Sequence, residues 1–413
     1  LLGALGLFLY GMTLMSGALQ KVAGDKLRSF LAAMTSTSFK RIITGLLITA
    51  IIQSSSATTV MIVSFVNAGL LTLVQSIGVI MGANIGTTVT AWLVATLGFN
   101  ADIAALALPL IGFGFAFMMC KAKRKKSMGE LLIGFALLFM GLALLKDSVP
   151  DLQSSPQVLE AISRWSDFGF LSVLLFVIIG TVLTIVLQSS AATMALTLVM
   201  CNNGWISFEM GAALVLGENI GTTITANIAA VVANTSGKRA ARAHSIFNVV
   251  GVLWVLILYH PFLWMVSRVI MACGGDNPLM QGASPTSILY SIALVHTMFN
   301  VCNTLLLVWF TPLIVKAVTY LVKSPKEEEV FRLQFIQGGM LSTAELSLGQ
   351  ASREIIHFAE LSKKQYQYAR QALNTQNAEE FDAMYKKLEH YEQITDKIEF
   401  EIAKYLNNIS EGE

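Results

Sequence analysis

Gln53-Ser54-Ser55-Ser56-Ala57-Thr58-Thr59 and Gln188-Ser189-Ser190-Ala191-Ala192-Thr193 decide the fold of this 413-residue chain. A second signature follows each: Gly82-Ala83-Asn84-Ile85-Gly86-Thr87-Thr88-Val89-Thr90-Ala91, then Gly217-Glu218-Asn219-Ile220-Gly221-Thr222-Thr223-Ile224-Thr225-Ala226. Both pairs are offset by 135 residues, and 15 of 39 positions from 53 to 91 are identical at that offset without a gap. Gly45 and Thr49 match Gly180 and Thr184 at the same offset, and Gly11 matches Gly141 at 130. Self-similarity at a fixed spacing marks a duplicated structural unit. The copies span residues 1–126 and 127–270, followed by an external loop and a final apolar segment at 271–322.

The surrounding composition sets the solvent. Hydrophobic residues make up 54% of the chain and charged residues 13%, about half the charge of an average soluble domain. Residues 1–322 carry a net charge of +7 and residues 323–413 a net charge of −5. A long apolar, weakly basic block followed by a short charged tail reads as a membrane domain with a soluble appendix. This balance excludes a disordered chain, a nucleic-acid module and an ordinary soluble enzyme. The basic run 121–126 reads as a cytoplasmic stop signal, and the 18 Met residues as apolar filling. Cys120, Cys201, Cys273 and Cys302 lie far apart with no metal-ligand spacing, so neither a disulfide framework nor a zinc site is expected. Residue 1 is Leu in a run that reads as mid-helix, so we expect further residues ahead of it. That run lacks the flanks of a signal peptide.

Charge bias also orients the copies. Lys21, Lys26, Arg28, Lys40, Arg41, the 121–126 run, Lys238, Arg239 and Arg242 mark one side, against Lys146, Arg164 and Arg268 on the other. Lys and Arg favour cytoplasmic loops, so the amino terminus is expected outside and the tail inside, in the plasma (inner) membrane. Each copy makes three net crossings. Three is odd, so the second copy is expected upside down. Residues 42–97 and 170–236 are too long for one spanning helix and must end on the opposite side. The expectation is an all-α membrane protein of inverted-topology repeats, with two re-entrant helical hairpins that turn at the Gln-Ser-Ser stretches and meet near the midplane.

Gln, Ser, Thr and Asn offer hydroxyls and amides without formal charge. Broken helices bring amino-terminal N–H groups that suit an anion, and carbonyl oxygens that suit Na+. The doubled QSS(S/A)-x-T and G-(A/E)-N-I-G-T-T signatures resemble those of the type II sodium–phosphate cotransporter family, its bacterial members in particular. The resemblance covers the whole membrane block. It implies Na+-coupled transport of inorganic phosphate by alternating access, with both Gln-Ser-Ser regions at the transport site. Carried over position by position, it implies substrate contact by Gln53, Ser54, Ser55, Gln188, Ser189, Ser190, Asn84 and Asn219. Sodium ligation is expected from Thr58, Thr87, Thr88, Thr193, Thr222 and Thr223, which match the family's signatures, and, on their chemistry, from Ser56 and Glu218. Ala191 replaces a frequent third serine, so the half-sites are not equivalent and more Na+ ligation is expected on the Ser56 side. No cofactor beyond the coupling Na+ is implied. The residues alone leave sulfate, a dicarboxylate or a passive anion channel open.

Three features stand beside that reading. Glu218 takes the place of Ala83 and is the lone acidic residue in a core motif. An intramembrane carboxylate costs about 2.5–3.5 kcal/mol to insert, which makes it a candidate for Na+ or proton binding. His244-Ser245-Ile246-Phe247-Asn248 and His296-Thr297-Met298-Phe299-Asn300 form a smaller repeat. It places His and Asn on one helical face, read here as an interhelical hydrogen bond. No carboxylate orients either His toward a serine, so no hydrolase, and no enzyme, is expected. In the tail, residues 323–340 read as a linker. Residues 341–413 carry two helices, about 343–373 and 378–409, the second with a heptad seam and Asn377 as its cap. The tail resembles the start of a PhoU-like regulatory domain. A homodimer or a regulatory partner is expected through it, and no nucleic acid.

Overall fold

The computed structural model describes residues 2–33, 37–67, 69–100, 103–147, 168–323, 333–336 and 344–411. Arg164 and most of the 323–340 linker lie outside them, as do the side chains of Lys26 and Arg28. Among the described residues all regular structure is helical. The first copy holds α1 (Leu2–Ala33), α2 (Ser38–Ile52), α3 (Ser55–Asn67), α4 (Leu73–Asn100) and α5 (Ile103–Met118). The second holds α6 (Lys123–Asp147), α7 (Phe170–Leu187), α8 (Ser190–Asn202), α9 (Phe208–Ala229), α10 (Thr235–Ile257) and α11 (Tyr259–Ala272). Then come α12 (Pro285–Leu307) and α13 (Thr311–Leu321), and in the tail α14 (Ala344–Asn374) and α15 (Ala378–Glu411). Seven helices among the described residues are long and apolar enough to cross a membrane. These helices and the shorter apolar α5 leave large apolar side chains outward, such as Leu108 and Phe113 on α5, Val186 on α7 and Ile257 on α10. A water-soluble surface rarely tolerates such patches; the chain is an all-α, multi-pass membrane protein.

Two details depart from the sequence reading. The apolar stretch 243–270, taken as one crossing, is broken at Leu258 into α10 and α11. The last stretch, 288–321, is likewise broken, by a 3-10 turn at Val308–Phe310.

The duplication is visible in the packing. A Cβ on Gly45 would stand 1.9 Å from the Val79 carbonyl oxygen, and one on Gly180 would stand 2.2 Å from that of Leu214. Gly82 meets Ile42 and Gly217 meets Val177 in the same way. Every member of these pairs is displaced by 135 residues from its counterpart. Backbone approach this close requires glycine and is a habit of membrane helix pairs. α1 and α6 repeat the device reciprocally: Gly11 seats against Leu138, Gly141 against Phe8 and Gly134 against Met15. The pairing runs antiparallel. At the 130 offset Gly11 becomes Gly141 and Phe8 becomes Leu138, so each helix gives the other the same surface, as in a two-fold contact.

The same exchange governs the centre. Trp92 Nε1 on α4 donates to Thr297 Oγ1 on α12 at 2.9 Å, and Asn227 Nδ2 on α9 donates to Ser245 Oγ on α10 at 2.7 Å. Residue 227 is 92 displaced by 135; residue 297 is 245 displaced by 52. Thus α12, which falls outside both sequence copies, stands to α4 as α10 stands to α9.

The tail is a two-helix hairpin closed over Tyr391, Ile394, Ile398, Ile402 and Tyr405. Asn377 caps α15 by accepting from Glu379 N at 3.0 Å. The buried carboxylate of Glu354 gathers the backbone N–H groups of Gln334, Phe335 and Ile336. The Gln334 carbonyl accepts from Asn234 Nδ2, and the same nitrogen donates to the Asn67 carbonyl at the end of α3. Arg353 and Phe335 cover Gly69 just beyond it. The tail is therefore fastened to the α3–α4 turn and to the start of α10.

Candidate functional site

Both Gln-Ser-Ser stretches are helix breaks. α2 ends at Gln53, whose backbone turns left-handed (φ 56°), and α7 ends at Gln188 in the same conformation (φ 49°). They are the two non-glycine residues with positive φ among the described residues. Such a conformation costs an L-residue about 1–2 kcal/mol, so strain sits at both motifs. The next helix starts at once, with the serine as its cap: Ser54 Oγ accepts from Ala57 N and Ser189 Oγ from Ala192 N, each at 3.2 Å. Two carboxyl-terminal helix ends (α2, α7) and two amino-terminal ends (α3, α8) therefore face each other, which offers partial negative and partial positive charge side by side.

The two breaks open into one cavity of about 490 Å³. Gln53, Ser54, Ser55 and Ser56 line it from the first copy, and Gln188, Ser189, Ser190 and Ala191 from the second. Thr87 and Thr90 of α4 join them, and Thr90 Oγ1 donates to Gln53 Oε1 at 3.1 Å. The remaining wall is α1, from Leu9 through Thr13 and Ser16 to Gln20. Among the described residues no charged side chain lines the cavity.

Sequence reasoning overlooked the α1 wall and Thr90. The signal existed: Thr13, Ser16 and Gln20 stand three and four residues apart, one polar stripe on an otherwise apolar span. The wall runs toward Lys21, which pairs with Glu130 of α6 at 2.7 Å.

The other expected site residues lie outside this cavity. Thr58, Thr88, Thr193, Thr222 and Thr223 are buried, and each hydroxyl donates to a carbonyl in its own helix segment. Asn84 and Asn219 form two matching clusters. Asn84 Oδ1 meets His244 Nε2 at 3.3 Å and Asn248 Nδ2 at 3.5 Å; Asn219 Oδ1 accepts from Asn300 Nδ2 at 3.1 Å. The His-x-x-Phe-Asn repeat thus makes interhelical contacts to the second signatures. Glu218 is buried, and its Oε2 has no hydrogen-bond partner among the described residues. The same holds for Nδ1 of His244 and His296 and for Oδ1 of Asn248 and Asn300. Buried polar groups without partners are rare enough to mark sites.

The Na+/Pi-cotransporter family model matches residues 7–147 and 160–274, across both cavity-lining motifs. The chain belongs to the Na+/Pi-cotransporter family. A Bacillus subtilis relative, "Uncharacterized protein YqeW", is 31% identical over 76% of this chain and 95% of its own length. The "Putative inorganic phosphate export protein YjbB" of Salmonella typhimurium is 25% identical over 92% of this chain and 66% of its own. The rat "Sodium-dependent phosphate transport protein 2A" is 42% identical over 24% of this chain and 16% of its own. No solved structure matches the chain. The family match leaves α12 and the tail uncovered.

Proposed function

We propose that this member of the Na+/Pi-cotransporter family carries inorganic phosphate across the membrane, coupled to Na+, by alternating access around the shared cavity. The observation that carries this reading is the meeting of both Gln-Ser-Ser breaks in one cavity lined without formal charge. A phosphate dianion entering such a cavity loses water and finds only dipoles. A cation beside it changes the balance: opposite unit charges 4 Å apart attract by about 4 kcal/mol at an effective dielectric of 20. Neither ion is held well alone, and each raises the other's affinity, which is the physical basis of coupling. A fixed Arg would bind phosphate bidentately and release it slowly; hydroxyls and helix ends let it go.

Gln53, Ser54, Ser55, Gln188, Ser189 and Ser190 are assigned to the anion, and Ser56 and Thr87 to Na+. Glu218 remains a candidate for Na+ or a proton, supported by its buried, unpartnered oxygen. Asn84 and Asn219 act at one remove, by holding α4 and α9 to α10 and α12. The copies lie inverted in the plasma membrane, with the tail on the cytoplasmic side. The antiparallel α1–α6 seam supports this reading, as does the tail's attachment beside the basic start of α10.

The test is labelled phosphate flux into sealed vesicles with and without an imposed Na+ gradient. Accumulation only with the gradient is expected. Flux without Na+ dependence would make the protein a passive channel, and block by excess sulfate or succinate without block by phosphate would make another anion the substrate.

A further inference from the structure

The cavity is one-sided. Of the elements that the internal two-fold relation pairs, it takes α1 and α4 and leaves α6 and α9: Ser16, Thr87 and Thr90 line it, whereas their counterparts Lys146, Thr222 and Thr225 do not. Two related arrangements of one set of contacts have nearly the same energy. A chain that shows the same pair of breaks to opposite sides therefore reaches the second side by exchanging the roles of its halves. In the exchanged arrangement the α6 face stands where the α1 face stands now. At the 130 offset Thr13 becomes Ala143 and Ser16 becomes Lys146. The first wall is neutral where it lines the cavity, from Leu9 to Gln20; the second carries a cation.

Lys146 now rests near the end of α6, half-buried. Its Nζ donates to the Gly98 carbonyl at 2.8 Å and lies 5.0 Å over the Phe99 ring, both in the last turn of α4. A helix carboxyl end holds a cation by only about 0.3–1 kcal/mol at an exposed site, so this seat is easily left when an anion is near.

We propose that Lys146 recruits the anion at the mouth that opens on the side opposite the tail, while the neutral α1 wall serves the tail side. The proposal rests on the transport reading above. It gives the cycle a built-in asymmetry: on one side the cavity wall itself carries a cation, and on the other the nearest cation along the wall, Lys21, is paired with Glu130.

The experiment uses the full chain in proteoliposomes, sidedness fixed by protease access to the tail, with inorganic phosphate as the probe. Lys146→Gln is expected to raise KM roughly tenfold for phosphate entering opposite the tail. KM from the tail side stays within twofold, and Lys146→Arg restores the first value. In the unsubstituted protein, KM opposite the tail is expected to rise more steeply with ionic strength than KM on the tail side. Ala143→Cys is expected to react with a membrane-impermeant maleimide from the side opposite the tail, above the background of the four native cysteines. Equal KM changes on both sides, no change on either, or an inert Ala143→Cys would overturn the proposal. Absence of any phosphate flux in the unsubstituted protein would instead sink the transport reading.

Discussion

Replacing Gln188 by Gly separates what the residue does for the backbone from what its side chain does for phosphate. Gln188 holds φ at 49°, a conformation that costs an L-residue about 1–2 kcal/mol and glycine essentially nothing. Against this stands the greater freedom of glycine in the unfolded chain, about 0.5–1 kcal/mol. The balance is a gain of about 0–1.5 kcal/mol. At Gln53 the strain is similar, but Thr90 donates to its side chain at 3.1 Å, and losing that bond removes about 1 kcal/mol. Gln53→Gly is therefore expected to be neutral or slightly destabilised. Alanine at either position keeps the strain and gains nothing. Phosphate uptake is expected to vanish in all four variants. Reversible unfolding in bicelles by steric trapping reads the first quantity, and labelled phosphate uptake the second. A Gln188→Gly protein less stable than wild type by 1 kcal/mol, or one that still transports normally, would refute the reasoning.

Gly45→Ala and Gly180→Ala put a Cβ at 1.9 and 2.2 Å from backbone oxygens. Both are expected to lose folded protein in detergent, whereas Gly112→Ala, with open space around it, is expected to be neutral or gain up to about 1 kcal/mol. Glu354→Gln weakens a charge-assisted set of three backbone contacts; hydrogen exchange at residues 334–336 is expected to quicken at least about tenfold, and an unchanged rate would mean the loop is held otherwise. Glu218→Gln is expected to shift the Na+ or pH dependence of uptake; unaltered profiles would assign the carboxylate a structural role. Hydrogen bonds from Ser284 hold the Asp276 carboxyl below its usual range. Its contribution is thus full above the unfolded carboxylate value and lost as pH falls through the folded one, so the Ser284 amide is expected to lose protection only in acid. Protection that instead falls between pH 7 and 9 would contradict this.

Much of the architecture was legible because repeat, apolarity and charge bias are properties of long stretches. The all-helical membrane character follows from composition, and the helix breaks fall at Gln53 and Gln188 because a run of small polar residues interrupts an apolar span there. Residues that act in pairs across the fold were not legible. Thr13, Ser16 and Gln20 mark a polar face in their own segment, but they sit 33 to 40 positions ahead of Gln53 and nothing there names the break at Gln53 as its partner. Thr58 and Thr193 resemble cavity residues in sequence, yet one helical turn past the break they point back into their own helix. The divisions at Leu258 and Val308 carried a signal that went unread: Pro261 and Pro312 stand just past them, where proline opens a new helix and cannot continue the old one. The place of α12 as counterpart to α10 needed partners on α4 and α9, which only the folded chain supplies.

The glycine-seated seam between α1 and α6 carries a mechanical consequence. Helices that touch backbone to backbone at three places have no slack in which to slide or roll, so these two move as a single mast. Any large excursion must then occur between the mast and the broken helices beside it. In the proposed alternating-access cycle, a mast of two like halves pointing opposite ways would offer the moving part, at either end of its travel, a surface of related shape and different chemistry.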